Sequence, residues 1–210
     1  MIYLYSGTPG SGKSLHQARD IYHILQRGGV CIANFDIDVQ KIPKCKGQFI
    51  YLDNEHLTPQ ILIKFAKVYF NDHRFYEGRI KLYIDECQLL FNAREWQASG
   101  RKDWLSFFTQ HRKYGYDIFL VAQFDRMIDR QIRSLIEYEY IHRKATNGSI
   151  LGKWIGLIGD FFVSVEVWYP MKEKISAEYF LARKKYYSIY DTLNTFGSDS
   201  PSAEPFPLIG

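Results

Sequence analysis

An α/β fold, with a mostly parallel, doubly wound sheet and helices on both faces, is predicted by three observations. Short apolar stretches alternate with amphipathic helical ones through the first two thirds of the chain. A glycine-rich turn joins the first apolar stretch directly to the first helical one, and two later apolar runs end abruptly on Asp85-Glu86 and on Gln123. Strands alternating with helices call for parallel pairing buried on both sides.

Each element has its own local signal. MIYLYS, residues 1–6, is short and rich in Ile and Tyr, as a buried strand is. After GTPGSGKS, SLHQARDIYHILQRGG has helical spacing and stops at Gly28 and Gly29. VCIANF (30–35) and QFIYL (48–52) predict two more strands, separated by a loop carrying Lys41, Lys44 and Lys46. Thr58 as N-cap and Pro59 at the first helical position open a helix through residues 58–75. RIKLYIDE (79–86) is an apolar run closed by two acids. Residues 92–115 predict a loop, then a helix from about Lys102 to Tyr114 stopped by Gly115. DIFLVAQ (117–123) is a further buried strand, and DRMIDRQIRSLIEY (125–138) has a helical pattern. From Glu139 the pattern changes. EYIHRK, a turn at Thr146-Asn147-Gly148, and FFVSVEVWYP predict strands without intervening helices, an antiparallel extension over about 139–170 on one sheet edge. Residues 1–190 read as one domain, and 191–210, rich in Ser, Pro and Gly, as a flexible linker-like tail.

Composition excludes several classes. With 210 residues, 46% of them hydrophobic, the chain can bury a proper core. A net charge of +4 gives only weak support for contact with nucleic acid or an anionic membrane face, since an excess this small is common in proteins that touch neither. Cys31, Cys45 and Cys87 are odd in number and lack C-x-x-C spacing, so neither a disulfide framework nor a thiolate zinc site is expected, and a reducing cytoplasm is the expected setting. No secretory signal precedes the glycine-rich turn. WIGLIGDFFVSVEVWYP contains Asp160 and Glu166 and alternates, so it reads as strand and not as a membrane span, and the chain is expected to be soluble as given.

The candidate chemistry begins with GTPGSGKS, which fits the phosphate-loop pattern G-x-x-x-x-G-K-[ST]. Gly7, Thr8, Pro9, Gly10, Ser11, Gly12, Lys13, Ser14 and Leu15 are the expected nucleotide-binding residues. Backbone amides at a helix start cradle the β-phosphate, Lys13 reaches the β/γ oxygens, and Ser14 ligates Mg²⁺. Asp85, at the end of a buried strand, is the second expected Mg²⁺ group, and Glu86 is placed to polarise the attacking water. Adjacent acids there are costly unless a metal or donors await them. Gln123, at the next strand end, is a candidate for sensing the γ-phosphate or orienting water, against an ordinary polar strand end. Arg112 heads the arginines that could stabilise transition-state charge, ahead of Arg126, Arg130 and Arg133, each weighed against a solvated face. The basic runs at 111–113, 142–144 and 183–185, the last followed by Tyr186 and Tyr187, offer phosphate contacts and stacking rings, against plain surface charge. No histidine pair shows metal-ligand spacing.

IYLYSGTPGSGKS, YIDECQLLF and above all QHRKYGYDIFLVAQFDRMIDRQIRSLIEYEYIHRK resemble the N-terminal ATPase domain of the zonula occludens toxin (Zot) family, which includes filamentous-phage assembly proteins. The resemblance covers roughly residues 1–190. It implies a P-loop NTPase fold and ATP rather than GTP, since an acid directly after the strand's aspartate goes with motors, helicases and translocases, and no N-K-x-D element is present. It implies that Gly7, Gly12, Lys13 and Ser14 hold phosphate and Mg²⁺, that Asp85 and Glu86 serve metal and water, and that Gln123 reads the γ-phosphate. It further implies an inner-membrane motor with its ATPase part on the cytoplasmic side, one membrane helix and a periplasmic part, driving assembly and extrusion of filamentous virions. A homo-oligomeric ring, and coat protein or a single-stranded DNA-protein complex as cargo, follow from the same source. The present chain departs from the family pattern by ending before any membrane helix, which implies either truncation or a short homologue; the linker-like tail favours truncation, and membrane contact is assigned to a segment absent from it. The toxin activity in the family name belongs to the part beyond that helix. The competing readings are a non-hydrolysing, nucleotide-gated interaction module and a nucleotide kinase, and Asp85-Glu86 argues against the kinase.

Overall fold

The computed structural model describes residues 1–92, 100–145 and 160–190. A single eight-stranded sheet runs through it, and its centre is the phosphate-loop strand. Along the chain lie β1 (Ile2–Ser6), α1 (Lys13–Gln26), β2 (Val30–Ala33), β3 (Gln48–Tyr51), α2 (Pro59–Asp72), β4 (Ile80–Ile84), α3 (Arg101–Gln110), β5 (Tyr116–Val121), α4 (Arg130–Arg133), β6 (Tyr138–Lys144), β7 (Phe161–Trp168), β8 (Glu173–Leu181) and α5 (Lys184–Tyr187). The spatial order is β3-β2-β4-β5-β1-β6-β7-β8. The first six strands in this order pair in parallel, whereas β7 and β8 join antiparallel.

Two cores cover the two faces, as parallel pairing demands. One packs Ile2, Leu4, Ile32, Leu82 and Ile118 of the strands under α2 and α3, with Phe91, Phe107 and Phe108 fully buried among them. The other sets Ala18, Ile21 and Leu25 of α1 on Tyr5, Cys31, Tyr83 and Val121. Opposite faces of each strand alternate between the cores, which is why the strands read as continuous apolar runs.

Local signals explain most boundaries. The Thr58 hydroxyl accepts from the Ile61 amide at 3.4 Å and Pro59 occupies the first turn of α2. α3 gives way to a 3₁₀ turn at His111–Tyr114, and Gly115 ends it with φ 72°, where a Cβ would lie 2.5 Å from the Phe70 ring.

Two expectations need correction. The helix predicted over 125–138 is a 3₁₀ turn at Asp125–Met127 followed by the single turn of α4. Ile128 is buried and bridges to Asn92, Asp129 caps α4 by accepting from the Gln131 amide at 2.9 Å, and Glu137 donates its amide to the Ile2 carbonyl. These tertiary contacts outweigh the helical period. The antiparallel extension is also larger than 139–170: β6 is parallel to β1 on one side and antiparallel to β7 on the other, and β8 carries the hairpin to Leu181. β8 is an edge strand exposed on both faces, so it has no one-sided apolar pattern to read. The turn at 146–148, the loop at 93–99 and the tail at 191–210 lie outside the described residues.

Candidate functional site

Parallel strands deliver their C-terminal ends to one edge of the sheet, and the candidate residues gather there. β1 ends at Ser6, and the loop that follows is shaped by three glycines with positive φ: 142° at Gly7, 73° at Gly10 and 97° at Gly12. At Gly7 a Cβ would stand 2.6 Å from the His142 carbonyl oxygen and from Ser11 Oγ, and at Gly12 one would stand 2.5 Å from the Phe162 ring. Glycine is therefore required at both. Thr8, Pro9 and Gly10 are exposed, Ser11 is buried, and Leu15 packs against the α1 core. The first-turn amides of α1 have no intrahelical carbonyl to meet and face the loop as donors.

Lys13 folds its ammonium back over the loop, donating to the Gly7 carbonyl at 2.6 Å and the Thr8 carbonyl at 3.3 Å. Burial lowers its pKa, and the nearby Glu86 and Asp85 carboxylates oppose that shift. The Ser11 hydroxyl is buried without a hydrogen-bond partner. A cation held over glycine-shaped backbone, beside an unsatisfied hydroxyl, fits a phosphate chain.

β4 ends at Ile84, and Asp85 follows, 8% exposed. Its backbone is clamped by Asn34 at the end of β2: the Asp85 amide donates to Asn34 Oδ1 at 2.7 Å, and Asn34 Nδ2 donates to the Asp85 carbonyl at 2.9 Å. Burial raises the Asp85 pKa, while hydrogen bonds from the Tyr190 hydroxyl and the Glu86 amide hold it down. Glu86 adopts left-handed backbone geometry at φ 44°, ψ 46°, a strained state for a residue with a side chain. Its carboxylate accepts from the Gln88 amide group. β5 lies between β1 and β4, so Gln123, just past its end, sits between the loop and the acids, and its carbonyl accepts from the Gly7 amide at 3.2 Å.

Ser14 and Asp85 pair a hydroxyl with a carboxylate, the kind of set that holds Mg²⁺ together with substrate phosphates. No cluster of three His, Cys, Asp or Glu that could hold a metal by itself occurs among the described residues.

Arg112 is not brought to this edge. It pairs with Glu137, whose other oxygen accepts from the Ile2 amide at the opposite end of β1. Five residues of strand, on the order of 15 Å, separate that point from the loop. The basic runs are also partly consumed: His111 and His142 are buried, Lys144 pairs with Asp160, and Tyr186 packs against Tyr22 and His23 instead of offering a free ring.

Sequence reasoning passed over three features. Asn34 is a polar residue ending an apolar run, a signal of the same kind as Gln123. Tyr190 reaches Asp85 from far along the chain and has no local signature. The third is a buried histidine pair. Arg19 Nη2 lies 2.8 Å from His16 Nε2, His16 Nδ1 lies 2.7 Å from His142 Nε2, and His142 Nδ1 lies 3.1 Å from the Ser6 carbonyl. A guanidinium only donates, so His16 Nε2 accepts, and the protons follow on His16 Nδ1 and His142 Nδ1. The result is one directed chain of hydrogen bonds from the Arg19–Glu178 ion pair to the residue before the loop.

A glycine-rich loop between a central parallel strand and a helix, with acids one strand removed, defines a P-loop NTPase fold of the kind ATPases use. The profile of the family described as zonular occludens toxin (Zot) matches residues 1–195, and the chain belongs to that family. Among known proteins it is similar to the "Gene 1 protein" of Enterobacteria phage I2-2, 23% identical over 98% of this chain and 60% of the relative. It is also similar to the "Gene 1 protein" of Enterobacteria phage M13, 27% identical over 67% of this chain and 41% of the relative. The chain thus spans about half the length of these relatives. Among solved structures, the N-terminal domain of zonular occludens toxin from Neisseria meningitidis superposes with a TM-score of 0.58 at 19% identity, over 90% of this chain and 98% of that one. The genome packaging NTPase B204 of Sulfolobus turreted icosahedral virus 2, in complex with AMP, gives 0.53 at 12% identity, over 84% and 96%. Among the described residues no helix is long and apolar enough to cross a membrane.

Proposed function

We propose that this chain is the ATP-hydrolysing part of a motor that drives filamentous phage assembly and extrusion. The single observation that carries hydrolysis is the position of Asp85 and Glu86 at a buried strand end, with Gln123 between them and the phosphate loop. The family, and similarity to phage gene 1 proteins and to the fold of a packaging NTPase, support the assembly role. Loop amides and Lys13 bind the phosphate chain, Lys13 exchanging the Gly7 and Thr8 carbonyls for β/γ oxygens. Ser14 and Asp85 hold Mg²⁺, which neutralises developing charge on the phosphate oxygens when bound. Glu86 accepts a hydrogen bond from the attacking water and draws its proton, and Gln123 reads the γ-phosphate. Arg112, remote from its own loop, acts only on a neighbouring subunit of a homo-oligomeric ring, or not at all. The full-length protein works from the cytoplasmic side of the bacterial inner membrane, anchored by a segment outside this chain, with coat protein or a single-stranded DNA-protein complex as cargo.

Phosphate release from ATP, measured across protein concentrations, tests the proposal. Lys13→Ala is expected to abolish nucleotide binding, and Glu86→Gln to keep binding while turnover falls by about 10²–10⁴-fold. Normal turnover in the Glu86 variant refutes the mechanism. Binding without turnover at any concentration replaces the motor with a nucleotide-gated interaction module.

A further inference from the structure

The end of the described chain returns to the nucleotide edge. α5 lies against α1, with the Tyr186 ring edge-on to Tyr22 and its hydroxyl 3.0 Å from His23 Nε2. Ile189 is 1% exposed, and its carbonyl accepts from the Asp38 amide at 2.8 Å. These contacts anchor a strap across α1 and the loop after β2. One residue later, Tyr190 sets its ring edge-on to Phe35 at 5.0 Å and points its hydroxyl into the site. That hydroxyl donates to Asp85 Oδ2 at 3.0 Å. It therefore occupies one oxygen of the carboxylate to which the proposed function assigns the cation.

Mg²⁺ binds oxygen at about 2.0–2.1 Å in tight octahedral geometry and keeps much of its water. A phenol hydroxyl already bonded to Asp85 Oδ2 takes a position that the ion or its water would use on that carboxylate.

We propose that Tyr190 is a latch on the cation position: with the strap closed its hydroxyl holds Asp85, and Mg²⁺-nucleotide binding requires it to leave. The inference rests on the proposed nucleotide site and adds a direction of control. Because coupling is reciprocal, whatever holds Tyr190 in place weakens Mg²⁺-nucleotide binding by the factor by which Mg²⁺-nucleotide loosens the strap. Residue 190 is where the chain leaves toward residues 191–210, so a pull on the downstream segment and the state of the cation site report on each other. In a motor, this passes load to the nucleotide.

The test uses the whole 210-residue chain and ATPγS. Dissociation constants are measured with Mg²⁺ and with EDTA for the wild type, Tyr190→Phe and Lys13→Ala, and hydrogen exchange is followed over residues 184–190. Tyr190→Phe keeps the ring on Phe35 and removes only the hydroxyl. The expected result is Mg²⁺-dependent affinity tightened about ten-fold, the worth of one hydrogen bond to a charged group, with affinity in EDTA unchanged. Mg²⁺-ATPγS is expected to speed exchange at 184–190 in the wild type. Unchanged or weaker Mg²⁺-dependent binding in Tyr190→Phe, or slower exchange in the strap, overturns the latch while leaving the nucleotide site intact. A Lys13→Ala chain that binds as the wild type does, or a wild type that binds no nucleotide, overturns the site reading and the latch together.

Discussion

Replacing His142 with Gln should make the protein's stability markedly less sensitive to acid. His16 and His142 are 3% and 1% exposed and lie in contact beneath the phosphate loop. Burial, then the Arg19 cation, lowers His16 from 6.5 to about 3, and burial, then His16 itself, lowers His142 from 6.5 to about 3. Both folded-state values lie below the unfolded one, so the unfolded chain takes up protons first as pH falls. The stabilisation is complete above pH 6.5 and is lost progressively toward pH 3. Between pH 7 and pH 5 each imidazole removes about 2 kcal/mol and the pair about 4 kcal/mol. Other groups around the pair are Arg19, Asp20, Glu178, Lys13, Tyr5 and Tyr140. Asp20 and Asp85 are raised by burial and act in the opposite sense, but they do so in both proteins. Urea unfolding of the wild type and His142→Gln at pH 7, 6 and 5 isolates the histidine. The variant is less stable at pH 7, and its loss down to pH 5 is about 2 kcal/mol smaller than that of the wild type. Equal losses in the two proteins would refute the neutral, directed chain from Arg19 to Ser6.

Two further outcomes follow from the geometry of the loop and of the far sheet edge. Gly12→Ala combines positive φ with a Cβ 2.5 Å from the Phe162 ring, so it is expected to cost about 2–4 kcal/mol in denaturant unfolding, beyond any loss of nucleotide binding. Arg112→Ala should leave the ATPγS dissociation constant of dilute protein unchanged, since Arg112 pairs with Glu137 away from the loop, and a weaker constant there contradicts that placement.

The parallel strands were legible because each is buried on both faces, which leaves an unbroken apolar run such as IKLYI or YDIFLV. The phosphate loop was legible because glycine geometry is written into a short continuous pattern. Asp85, Glu86 and Gln123 stood out as polar groups at apolar strand ends. What stayed hidden depends on distant partners. α4 shrinks to one turn because Ile128 and Asp129 answer to Asn92 and Phe91 rather than to helical neighbours. His16 and His142 are 126 residues apart and meet only because β6 joins the sheet beside β1. Tyr190 reaches Asp85 across 105 residues. Arg112 was ranked from the HRKYG run, which places it next to a strand but does not say at which end of the sheet.

The left-handed backbone at Glu86 has a consequence for anyone engineering this protein. A residue with a side chain gives up about 1–2 kcal/mol to hold that conformation, whereas glycine or asparagine adopts it with little strain. A library screened only for heat resistance will therefore be drawn toward Gly or Asn at position 86. Every clone it gains there has lost the carboxylate, so thermal selection on this scaffold has to be coupled to a turnover screen.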